Sequence, residues 1–176
     1  MTTDPTPPEP APAHWGPARS KAISWHDPLT TAKALLDLSG LQALAALRDG
    51  LVAPPPIMSH FEMAIVGLSE GGVEFSCLPD ESAYNPIGMV HGGLACTLLD
   101  TVIGCAVHST LPARTGYTSI ELKVSYLRPV HSGTRLRARG WVTKPGRRVA
   151  FAEGAITDPD GRTVATASGS CLIMPA

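Results

Sequence analysis

Between Val90 and Val107 the chain carries a single charge, Asp100, in a run that is otherwise apolar or small apart from His91 and two threonines. That length without a strand-like alternation predicts a helix over residues 91 to about 109, buried for most of its surface. Further on the period changes. Ile120, Leu122, Val124 and Tyr126 alternate with Glu121, Lys123 and Ser125, the clearest strand signal in the sequence. Three more strands are expected at residues 134–143, 148–157 and 163–174. They are separated by Lys144-Pro145-Gly146-Arg147 and Asp158-Pro159-Asp160-Gly161, which have the composition of tight turns. Before the helix, residues 61–68 and 73–78 flank Gly71-Gly72, a hairpin in which both glycines are expected to take positive φ. Short links between consecutive strands imply an antiparallel sheet.

The first part of the chain reads differently. Residues 1–19 are rich in Pro and Thr and are expected to be a disordered tail. Apolar residues at Ala34, Leu35, Leu38, Leu41, Leu44 and Ala45 follow helical spacing, with Gly40 as a weak point, so one or two amphipathic helices are expected. Pro54-Pro55-Pro56 should then form a stiff extended connector. The expected organisation is a tail (1–19), a helical extension with its Pro connector (20–56) and one folded domain (57–176). A chain of 176 residues is long enough for one well-buried domain and short for two.

Charge and cysteine content narrow the function classes. A formal net charge of -1 provides no general field for nucleic acid or an anionic membrane. Cys77, Cys96, Cys105 and Cys171 lack paired metal-ligand spacing and lack a secreted disulfide pattern, so reduced thiols and no metal are expected. Asp100 and the glycines interrupt the best candidate for a membrane span. The N-terminus has no apolar signal core, and a cytoplasmic location is expected.

Asp100 then needs a reason. Desolvation disfavours a charged carboxylate, so an acid in a buried helix is paired, protonated or held for chemistry. The helix opens on His91-Gly92-Gly93, where unpaired N–H groups and the positive end of the helix dipole suit an oxyanion, and glycine permits close approach. Gly93 and Asp100 share a helix face but lie roughly 10 Å apart along the axis, too far to touch one reacting atom. A second copy of the chain, related by a two-fold axis, would bring Asp100 of one subunit opposite Gly92 of the other.

A hairpin, one long apolar helix and four antiparallel strands can bury that helix only if the sheet curls around it. This is an α+β arrangement, and its order resembles the hotdog fold with an N-terminal helical extension. Asn85, His91-Gly92-Gly93 and Asp100, at these spacings, resemble the active-site pattern of hotdog acyl-CoA thioesterases of the PaaI (phenylacetate-pathway) type, over roughly residues 57–174. The resemblance implies that the Gly92 N–H points at the thioester carbonyl and that Asn85 polarises or positions it. It implies that Asp100, from the neighbouring subunit, is general base or nucleophile, with Ser119 orienting the acid or the water. His91 is expected to shape the loop and the helix start. The resemblance also implies an acyl-CoA substrate, a homo-oligomer that is a dimer or a pair of dimers, and no cofactor beyond the coenzyme A of the substrate.

Substrate contacts are expected from Gly93, Leu94 and Tyr117, and from Arg128, Arg147 and Arg148 toward the phosphates of coenzyme A. Arg135, Arg137 and Arg139 alternate on one strand face and read as a solvated surface. With aromatic residues at 5%, no stacking platform for nucleic acid is visible. Two rival functions stand beside hydrolysis: an acyl-CoA sensor without turnover, and a hotdog dehydratase or hydratase. The sensor would carry a DNA-binding head, yet residues 20–50 hold only Lys21, Lys33 and Arg48 as basic groups besides histidine. The dehydratase pairs histidine and carboxylate in a different pattern.

Overall fold

The computed structural model describes residues 12–175; of the expected tail at 1–19, residues 1–11 lie outside them. Residues 13–15 make one 3-10 turn with no buried side chain. The elements that follow are α1 (Pro28–Leu35), α2 (Gly40–Arg48), α3 (Pro56–His60), β1 (Ala64–Ser69), β2 (Gly72–Cys77), α4 (Gly92–His108), β3 (Thr115–Tyr126), β4 (Leu136–Lys144), β5 (Val149–Thr157) and β6 (Thr163–Pro175). The six strands form one antiparallel sheet in the order β1-β2-β4-β5-β6-β3.

α4 lies across this sheet and contacts β2, β3, β4, β5 and β6, so the sheet wraps the helix as expected. Leu98, Leu99, Val102, Ile103, Ala106 and Val107 are buried against Phe75, Leu136, Ala138, Ala152, Ile156 and Ala165. The floor under the helix is glycine. A Cβ on Gly140 would stand 2.2 Å from the Val102 carbonyl oxygen, and one on Gly154 would meet the tips of Leu99, Val102 and Ile103.

Of the one or two helices expected in the extension, the structure has two, and Gly40, the expected weak point, is the first residue of the second, its amide donating to the Leu111 carbonyl at 3.0 Å. A Cβ there would sit 1.7 Å from the His108 oxygen, so Gly40 is the point where α2 meets the end of α4. Ser39 and Gln42 form a capping box that starts α2 afresh. Other local expectations needed correction. The apolar stripe does not run through both helices: Ala34 is exposed, and Gly40, Ala43, Leu44 and Ala46 are buried. The proline run is not extended throughout, because Pro56 begins α3, where a missing N–H costs nothing. In the first hairpin only Gly71 has positive φ; Gly72 already pairs within the strand.

The register of β3 differs in a way that matters for the site. Ser119 pairs with Cys171 and Glu121 with Ser170, so Ile120 is bulged out of the ladder and 54% exposed. The extra residue shifts the side-chain alternation. Tyr117 and Ser119 face the helix before the bulge, and Leu122 and Val124 face it afterwards.

Residues 16–27 run without regular structure alongside the loop after β2. Lys21 donates to Asp80 at 2.5 Å, Arg19 pairs with Glu81, and Trp25 stacks on His60. Lys21, together with the Ser82 hydroxyl and amide, holds the Asp80 carboxyl down at about 2, and the same pair raises Lys21. The unfolded chain binds a proton at Asp80 near pH 4, before the folded state does. This pairing therefore stabilises the fold above about pH 4 and is lost as pH falls through about 2. The melting-temperature gap between wild type and Asp80→Asn should close across that window, which thermal melts at stepped pH will read.

Candidate active site

The helix start is built by the loop in front of it. Asn85 is a turn residue: its Oδ1 accepts from the amides of Ile87 at 3.1 Å and Met89 at 3.2 Å, and its own amide donates to the Met89 carbonyl. The side-chain carbonyl is thus consumed locally, and its Nδ2 amide is the end left to donate outward. The loop is stitched to the helix by the His91 amide on the Ala83 carbonyl at 2.7 Å, and by Val90 on the Val130 carbonyl.

His91 is the N-cap of α4. Its Nδ1 accepts the Gly93 amide at 2.8 Å, which requires a neutral ring with the proton on Nε2. With the Gly93 amide occupied and the Leu94 amide bonded to the His91 carbonyl, the Gly92 amide has no acceptor among the described residues. Gly92 also lies under the ring of Tyr126, where a Cβ would stand 3.1 Å from Cε1.

Asp100 is not buried as the apolar run suggested. It sits half-buried on a narrow stripe of α4 with Gly93, Cys96, Thr97 and Thr101. The run is apolar on both flanks, but these small residues leave one side of the helix uncovered by the chain's own sheet. Ser119 Oγ donates to Asp100 Oδ1 at 2.7 Å, an arrangement the bulge at Ile120 makes possible. The hydroxyls of Thr97 and Thr101 bond back to carbonyls four residues earlier, satisfying the stripe without engaging the acid.

The candidate residues fall into separate groups within one chain. His91, Gly92, Leu94 and Arg128 line a cavity of about 460 Å³ with Tyr126 and Val164. Asn85 and Gly93 belong to the same end of the helix. Asp100 and Ser119 form the second group, two turns along. Tyr117 lies beyond them, its ring laid over Gly104 and 5.5 Å from that of His108. Arg147 lines a different cavity, near Thr110 and Thr115 at the far end of α4, and Arg148 is exposed in the same turn. Arg128 thus stands by the helix start and the other two arginines do not.

Three further reactive groups are unsuited to nucleophilic work. Burial pushes the Cys105 thiol up to about 12 and raises Cys171 and the Tyr117 phenol, so all three stay protonated. Burial lowers His108, whose Nδ1 is enclosed without a hydrogen-bond partner among the described residues. Among the described residues no three His, Cys, Asp or Glu side chains gather as a metal site would. Tyr126 and Gly104 were missed as site residues. Their signal was present: a small residue one turn beyond Asp100, and an aromatic ending the strand that carries Ser119.

Comparisons with known proteins bear on the family and the fold. A protein of Halobacterium salinarum that carries an esterase name is 34% identical over 120 residues, spanning 65% of this chain and 78% of that protein. Human acyl-coenzyme A thioesterase 13 is 28% identical over 97 residues, 55% of this chain and 69% of the enzyme. The PaaI protein of the Escherichia coli phenylacetic acid degradation operon superposes with a TM-score of 0.68 over 78% of this chain and 94% of that one, at 20% identity, a likeness of fold. The thioesterase superfamily model matches residues 87–165, from the loop in front of α4 through that helix to the start of β6. This hotdog chain belongs to the thioesterase superfamily, the thioester hydrolases.

Proposed function

We propose that the chain hydrolyses an acyl-CoA to the free acid and coenzyme A in a site shared by two subunits. The observation that carries this reading is the separation within one chain: a Gly92 amide with no acceptor among the described residues, and an acid held by Ser119 two turns away. The Gly92 N–H and the Asn85 amide receive the carbonyl oxygen as it becomes negative. One such donor is worth about 10²–10³ in rate. Asp100 of the other subunit takes a proton from the attacking water, worth roughly 10²–10⁴. The tetrahedral intermediate then expels the thiolate, whose conjugate acid resembles a cysteine thiol with a pKa near 8.5, so no strong general acid is required. The reaction uses side chains, backbone amides and water alone.

The free edge of the sheet supports the pairing of subunits. β1, one edge, is covered by α2, whereas β3 presents twelve residues with Ile120 exposed beside Asp100 and Ser119. An edge of that length invites pairing with a second copy. Residues 57–176 form the catalytic domain in this reading and 20–56 an extension of it, and Arg128, which lines the cavity at the helix start, is the cation that meets the substrate there.

Mixing two crippled homodimers tests the shared site. Asp100→Asn and Asn85→Ala each disable both sites of their own dimer, but a heterodimer has one site with an intact Asn85 and an intact Asp100. After subunit exchange of equal amounts, about a quarter of wild-type thioesterase activity should return. No recovery, with exchange verified by native mass spectrometry, would place the acid and the amides in one subunit and sink the proposal.

A further inference from the structure

The catalytic helix and its sheet do not hold the Asn85 loop by themselves. The loop leaves β2 at Cys77 and reaches Asn85 through a 3-10 turn at Glu81–Ala83. The N-cap of that turn is Asp80, whose Oδ1 accepts the Ser82 amide at 2.8 Å and the Ser82 hydroxyl at 2.5 Å. Its other oxygen takes Lys21 Nζ at 2.5 Å, from the segment that precedes α1. Lys21 also stands 3.7 Å from Glu62, at the entrance to β1, so one ammonium ties the strap to both the body and the loop. From the turn, the Ala83 carbonyl accepts the His91 amide, which leads directly to Gly92.

Resting on the reading of Asn85 and Gly92 as the carbonyl-binding pair, we infer that Lys21 is a positioning residue for hydrolysis, fixing the Asn85 loop through Asp80. Two features separate this from an ordinary surface ion pair. Lys21 is only 27% exposed in its side chain, less than any other cation in the ion pairs of the described residues. A cavity of about 780 Å³ opens between the strap and the loop, lined by Arg19, Lys21, Glu62, Asp80, Ser82 and Tyr84. The strap therefore meets the loop through charged tips; the Gly133 amide on the Pro79 carbonyl and the Ser132 amide on the Tyr84 hydroxyl hold the loop on either side of the turn, and Lys21 holds the turn itself through Asp80. A shift of the Asn85 amide by a fraction of an ångström acts on the transition state, where the oxyanion donors matter most.

The test is a cycle of steady-state kinetics on the full-length protein, measuring thiol release from acyl-CoA. Lys21→Met should lower kcat about fivefold with KM nearly unchanged, and Lys21→Arg should restore most of it, an effect within the range that misplacement can produce. In an Asn85→Ala background, Lys21→Met should have no further effect on kcat. If Lys21→Met shifts only the melting temperature, or lowers kcat equally in both backgrounds, Lys21 does not act through the loop and the inference is overturned while the hydrolase reading stands. If Asn85→Ala itself has wild-type kcat, the assignment of the loop falls, and the role of Lys21 falls with it.

Discussion

Asp100→Asn is expected to lower kcat for thioester hydrolysis by about 10²-fold or more, with melting temperature and oligomeric state unchanged. The substitution keeps the shape of the side chain, and its carbonyl oxygen can still accept the Ser119 hydroxyl that holds Asp100 at 2.7 Å. What disappears is the ability to take a proton from water. The half-buried position of the acid means the surrounding helix has no unpaired buried charge to release, so a change in stability is not expected to accompany the change in rate. Thiol release from a panel of acyl-CoAs, followed with a thiol-reactive dye, measures it. Ser119→Ala should cost less than Asp100→Asn, because it removes the group that orients the acid and leaves the acid. A dimeric Asp100→Asn protein with kcat within about threefold of wild type would remove Asp100 from the chemistry. Should both proteins be inert while an acyl-CoA still raises the melting temperature, the fold serves binding alone.

Gly140→Ala is expected to destabilise the protein by on the order of 3 kcal/mol, a fall in Tm of roughly 6–12 °C for a chain of this size. Gly140 lies in β4 opposite Gly154 of β5, beneath the middle of α4. Its φ is ordinary, so the constraint is space alone. The added methyl would meet the Val102 carbonyl oxygen at 2.2 Å and its carbon at 2.5 Å, backbone atoms that move only if the helix lifts from the sheet. Gly154→Ala is the graded comparison. Its methyl would meet Leu99, Val102 and Ile103 side chains at 3.2–3.3 Å, which can give by rotation, so a loss below about 1.5 kcal/mol is expected. If Gly140→Ala melts with wild type, the helix stands farther from the sheet than this packing has it. Because Asp100 and Gly92 ride on the same helix, a lifted α4 should also reduce kcat.

Periodicity carried most of the architecture, and the places where it failed share a cause. Alternation along residues 120–126 marks β3 correctly but treats Ile120 as inward, because a bulge leaves no trace in the pattern of apolar and polar residues. The helical stripe from Ala34 to Ala45 left one or two helices open, and a capping box at Ser39 with the close approach of Gly40 to His108 decides for two. Asp100 reads as buried because a one-dimensional run does not say which side of the helix the sheet will leave open.

By itself the sequence determined the order of elements, the long apolar helix and the placing of the residues that the resemblance to thioesterases singles out. These follow from local rules: side-chain period, the backbone freedom of Gly and Pro, and the spacing of Asn85, His91, Gly92 and Asp100 along one segment. Tertiary structure alone decided which of those groups are available. It occupied the Gly93 amide with His91 and left that of Gly92 without an acceptor among the described residues, turned Asn85 so that only its amide faces out, and brought Ser119 to Asp100 through the bulge. It also laid the segment around Lys21 against the loop that carries Asn85, 64 positions later in the chain. Such pairings depend on which atoms approach within about 3 Å across distant parts of the chain, and that distance is set by packing.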